Sequence, residues 1–195
     1  MIYERSGQKV VFIRIPQTGG VDIDNCLRLI GFTPQPFLHS YPVAGHYLTY
    51  KELQRAIRKA DPDKAMDMED YFSFAFVRNP YERIAAQWLS SSDKSVEFKS
   101  WVLSLPEQFE DDPYAHESHL RPQVDFLSPH INRIGRHENI IGDYLSILSD
   151  MGIFGTEMAF PFEPTIDYHD LYDDETRDVI LQMYHMDLSQ FDYRY

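Results

Sequence analysis

Residues Val10 to Gly20 read VVFIRIPQTGG, a β-branched and aromatic run broken by a proline and a double glycine, and the amphipathic stretch Val21 to Ile30 follows directly. That pattern predicts a strand, a tight loop and a helix start. Glycines at the break permit positive φ and close approach to a ligand, and the N–H groups exposed at a helix N-terminus favour an anion. A plain βα turn of an α/β domain carries the same glycines. The loop is shaped for phosphate, yet position 17 is a glutamine and no lysine is present in it.

At 195 residues the chain is long enough for one domain, expected over 1–195, whose core needs no disulfide or metal. Its single cysteine, Cys26, rules out an intramolecular disulfide and falls in the apolar pattern of the first helix, where it reads as a buried, inert thiol suited to a reducing compartment. The start, MIYERSGQKV, has no basic-then-apolar leader, and no run approaches a membrane span. A soluble, cytoplasmic chain with no membrane partner is therefore expected, although a chain trimmed of an anchor would read the same. With 18 Lys plus Arg against 31 Asp plus Glu, the formal charge is −13. Such an acidic balance argues against nucleic acid as a partner, so any bound anion must be held by local geometry.

A proline-rich loop over Thr33–His46 and a helix over Thr49–Lys59 precede a second aromatic strand, Tyr71–Val77. It runs into Arg78-Asn79-Pro80-Tyr81-Glu82. Asn79 suits an N-cap, Pro80 the first helical position and Glu82 a capping box, predicting a helix to about Ser91. Beyond lie a Trp101-centred helix, a linker over Pro106–His119, a short helix near Pro122–Leu127 and a strand at Asn132–Arg136. Helices near Asn139–Met151 and Asp174–His185 flank a loop over Gly152–Tyr168. Strands separated by helices imply an α/β fold with a central, mainly parallel sheet and ligands at the carboxyl ends of its strands.

Two strands thus each deliver a phosphate-suited element, the Thr18-Gly19-Gly20 turn and Arg78, whose planar fork can hold phosphate in bidentate fashion or form a surface ion pair. With these motifs the chain resembles the sulfotransferases that use 3′-phosphoadenosine 5′-phosphosulfate (PAPS), a family with a P-loop-like α/β fold. FIRIPQTGG resembles the 5′-phosphosulfate loop, usually Pro-Lys-Thr-Gly-Gly followed by Thr-Ser, and FAFVRNPYERIAAQW resembles the 3′-phosphate segment. Gly45-His46-Tyr47-Leu48-Thr49, His119-Leu120-Arg121-Pro122-Gln123, Ile134-Gly135-Arg136 and Tyr184-x-x-Asp187 resemble further family landmarks in order.

The resemblance implies transfer of a sulfuryl group from PAPS to a hydroxyl, secondarily an amine, of a small molecule or glycan, with adenosine 3′,5′-bisphosphate (PAP) leaving and no metal involved. It implies cofactor contacts from Pro16, Gln17, Thr18, Gly19, Gly20, Val21 and Asp22, and from Arg78 and position 86 at the 3′-phosphate. His46 is the expected general base, since an imidazole is partly neutral near neutral pH; a loop or capping histidine beside Gly45 is the structural alternative. His119 and Gln123 are expected to contact acceptor or cofactor, or else to be structural polar residues.

Three positions depart from the family pattern: Gln17 stands for the lysine, Val21-Asp22 for Thr-Ser, and Ala86 for the serine eight residues after Arg78. Loss of the lysine charge costs on the order of 3 kcal/mol of transition-state stabilisation. Asp22 either faces the loop and repels an anion or simply favours the first helical turn. Arg14 could return a positive charge, but strand alternation does not say which way it points. A degenerate relative kept as a binding module is the alternative. A P-loop kinase is disfavoured because Gly-Lys-(Ser/Thr) is missing, and zinc because His116-x-x-His119 has no matching ligand pair.

Overall fold

The computed structural model describes residues 1–35, 47–60, 63, 68–91, 95–155 and 165–195. They divide into two compact units, Met1–Val77 with Phe126–Glu163, and Arg78–Asp125 with Pro164–Tyr195.

The first unit carries a mixed five-stranded sheet of order β3-β1-β2-β4-β5. β2 (Gln8–Ile13), β4 (Phe72–Val77) and β5 (Arg133–Arg136) are parallel, with Ile13 opposite Ala75 and Val77 opposite Arg136. This is the parallel centre expected from the sequence. The antiparallel side was not foreseen. β1 (Ile2–Arg5) turns back on β2 through Ser6 and Gly7, both at positive φ as a two-residue hairpin turn requires. β3 (Thr33–Pro34) then pairs with β1 at the edge, the place where a proline does least damage to a ladder.

Helix α1 (Gly20–Leu29) buries Ile23, Cys26 and Leu27 at helical spacing. They join one core with Val10 and Phe12 of β2, Phe74 and Phe76 of β4, and Ile140, Tyr144 and Ile147 of the Ile140–Asp150 helix. Strand residues of both parities, Val10 to Ile13 and Phe74 to Val77, are buried, which accounts for their near-continuous apolar sequence. Gly135 is required here, because a Cβ on it would meet the Phe76 ring at 2.5 Å. Helix α2 (Tyr50–Ala60) is capped reciprocally by Thr49 and Glu52.

The second unit is helical. Asn79 caps α3 (Pro80–Ser90), accepting from the Tyr81 N–H at 3.1 Å. Glu82 does not complete the expected capping box; its carboxylate is engaged by Arg78 and by the Ile166 N–H. Helix α4 (Phe98–Asp111) runs through Pro106, where a linker was expected. A proline inside a helix costs about 3 kcal/mol, but burial of Phe98, Val102 and Leu105 in a core with Tyr81, Ile84, Tyr172 and Ile180 opposes it. Further along the chain lie α5 (Ile140–Asp150), described above, α6 (Asp174–Met183) and α7 (His185–Gln190). No helix among the described residues is long and apolar enough to cross a membrane.

Candidate functional site

In the first unit, β2 ends at Ile13 and residues 14–19 turn tightly into α1. Gln17 at φ 63 and Gly19 at φ 80 both adopt left-handed backbone, and Gly19 is the N-cap of α1. A Cβ on Gly19 would collide with Ile140 Cδ1 and lie 3.5 Å from the ring of buried His137, so only glycine fits that place. Thr18 is buried and spends its hydroxyl bracing the loop, donating to the Ile15 carbonyl at 2.9 Å. Pro16 is buried, Gln17 partly so, and Val21 is exposed. Asp22 lies in the first turn of α1, the structural position allowed for it, and with burial as the larger cause its charge pushes the Cys26 thiol up to about 11. The thiol is buried and protonated, as expected of an inert cysteine.

In the second unit, Arg78 is fully buried and its Nη2 donates to Glu82 at 2.9 Å, so it is not the surface ion pair that the sequence left open. Gln123 brackets its backbone: Oε1 accepts from the Arg78 N–H at 2.9 Å and Nε2 donates to the Arg78 carbonyl at 2.8 Å. Asp187 in turn accepts from the backbone N–H groups of Gln123 and Val124 at 2.8 and 2.9 Å. Burial is the main cause holding the Asp187 carboxyl above its ordinary range. The Gln123 side-chain amide thus holds the Arg78 backbone. Ala86 lies on the buried side of α3.

His119 is held by its ring, Nδ1 with Gln87 Oε1, while its carbonyl and that of Arg121 accept from buried Arg83 at 3.1 and 2.9 Å. Burial, then the Arg83 charge, lowers the His119 imidazole to about 4, so it is neutral at physiological pH. His46 lies outside the described residues. Among the described residues no group of His, Cys, Asp or Glu side chains is arranged to hold a metal ion. Sequence reading missed Glu82 and Asp187 as supports of the Arg78 segment. The four-residue spacing from Arg78 to Glu82 was a usable signal; Asp187 stood in a family-like landmark, but nothing local tied it to Gln123.

The model for the sulfotransferase family matches residues 5–194. The chain belongs to the sulfotransferase family. Among solved structures, this sulfotransferase-family chain is similar to a sulfotransferase from Alicyclobacillus acidocaldarius, at 13% identity and a TM-score of 0.42, covering 94% of this chain and 84% of that one. No curated protein matches the sequence. In this member of the sulfotransferase family, the turn into α1 carries Gly19 and Gly20 and no lysine.

Proposed function

We propose that the chain transfers a sulfuryl group from PAPS to a hydroxyl, with an amine as the secondary acceptor, on a small molecule or glycan. The carrying observation is the loop at the end of β2, where left-handed Gly19 opens α1 in a chain matched by the family over 5–194. Such a turn presents backbone N–H groups and the positive end of a helix dipole, which suits the phosphosulfate end of the donor. Residues 16–22 are assigned to that end, and Arg78, with Ala86 where the family carries a serine, to the 3′-phosphate.

In the reaction, the acceptor oxygen bonds to sulfur as the bond from sulfur to the bridging phosphate oxygen breaks. The electron pair of that bond leaves with PAP, and the acceptor proton passes to His46, the assigned base. Backbone N–H groups at the start of α1 stabilise the charge developing on the bridging oxygen. The scheme uses no metal. Labelled sulfate transfer to an acceptor panel, with calorimetric titration of PAP, tests it; neither turnover nor PAP binding would overturn it.

A second reading, a binding module that keeps the fold, is favoured by Gln17, Asp22 and Ala86, three departures at positions the family pattern gives to the donor. Gln17→Lys with Ala86→Ser separates the two. Improved donor binding and rate mark a weakened enzyme, whereas no improvement in a protein without turnover marks the module.

A further inference from the structure

The loop without a lysine has a cation beside it. Arg14 follows the last residue of β2, and its side chain lies along the start of α1: a Cβ placed on Gly20 would be 3.1 Å from Arg14 Nε and 3.6 Å from its Cγ. Only 9% of the residue is exposed, and Nε has no hydrogen-bond partner among the described residues. No described carboxylate pairs with it. Its contacts are soft, Met1 Sδ at 3.9 Å from Nη1 and the Tyr47 ring with its centroid 5.6 Å from Cζ.

A buried guanidinium keeps its proton, and its desolvation is offset only by an anion or a full set of acceptors. Here neither is supplied by the described residues, while the neighbouring element is a helix N-terminus that itself favours negative charge. Two independent features thus converge on one anion.

We propose that Arg14 binds the 5′-phosphate of the donor and replaces the charge that Gln17 has lost. The assignment rests on the PAPS reading above. During transfer Arg14 would exchange no proton; it stabilises the negative charge arriving on the bridging oxygen as the bond to sulfur breaks. Gly20 belongs to the same device, because any side chain there would press on the arginine.

The test is PAP titration by calorimetry, with thermal unfolding in parallel, on the unaltered protein, Arg14→Gln, Arg14→Lys and the double variant Arg14→Gln/Gln17→Lys. Arg14→Gln is expected to lower PAP affinity about tenfold or more, and Arg14→Lys to lose less. Lysine at 17 in the Arg14→Gln background is expected to restore most of the affinity, since the charge returns to the same phosphate from another position. A merely structural arginine would not be rescued in that way. Unchanged PAP affinity in Arg14→Gln, or a loss that Gln17→Lys leaves untouched, overturns the role of Arg14 while the PAPS reading stands. If Arg14→Gln fails to fold, Arg14→Lys decides through its salt dependence: affinity that weakens with salt as in the unaltered protein supports the assignment, and salt-independent affinity in both overturns it. Absence of PAP binding in the unaltered protein overturns both readings.

Discussion

The side-chain amide of Gln123 occupies both backbone hydrogen-bonding groups of Arg78, at 2.9 and 2.8 Å. Arg78 follows the last residue of β4 and has left the sheet ladder, so the amide substitutes for a neighbouring strand. Gln123→Leu would leave a buried N–H and a buried carbonyl unsatisfied, each costing about 1–3 kcal/mol. Urea denaturation is expected to show a loss of more than about 2 kcal/mol, and PAP titration a weakened site. Gln123→Glu keeps the acceptor and should lose less.

Glu82 holds the guanidinium of the same arginine, and both side chains are almost wholly buried. Removing one partner of a buried pair strands the other charge, at a cost of about 3–5 kcal/mol. Glu82→Ala should therefore be among the most destabilising single changes in α3. Glu82→Gln retains an acceptor for the Ile166 N–H and is expected to cost visibly less in the same denaturation series.

Gly19→Ala combines two penalties, a left-handed backbone at φ 80 and a collision with Ile140 Cδ1. The backbone part alone is roughly 1–2 kcal/mol. Ile140→Val removes the colliding methyl, so the double variant should be more stable than the sum of the singles predicts, while the backbone part persists. A double-mutant cycle by urea denaturation measures that coupling; strict additivity would show that Ile140 is not the obstacle.

His119 gives stability a pH dependence of definite sign. Its imidazole is lowered from 6.5 to about 4 in the folded protein, so between these values the unfolded chain binds more protons. Stability contributed by the neutral ring is full above about 6.5, declines as pH falls through this window, and changes no further below about 4. His119→Gln should flatten the melting-temperature profile across that range.

Local chemistry made much of this legible. The strand, loop and helix around residues 10–30 follow from a β-branched run and paired glycines, and Asn79-Pro80 announced α3 through a cap that forms as expected. The β1–β2 hairpin also had a local signal, Ser6-Gly7, which a reading centred on βα units passes over. Pro106 misled because its neighbours' burial outweighs its own propensity. Arg14 could not be oriented by strand alternation, since it lies just past Ile13, where the strand ends. Gln123 and Asp187 were both singled out in the sequence, but their pairing was not legible: the partners are distant in the chain, and no short-range pattern records such a contact.

That distance matters during synthesis. Arg78 meets its backbone partner 45 residues later in the chain, and Gln123 meets Asp187 a further 64 later. At about 5–20 residues per second, the ribosome delivers Asp187 on the order of ten seconds after Arg78. Until then the backbone N–H groups of Gln123 and Val124 lack their carboxylate acceptor. A nascent chain stalled before Asp187 would hold the Gln123 bracket on Arg78 without the carboxylate that fixes it, however completely its earlier helices had formed.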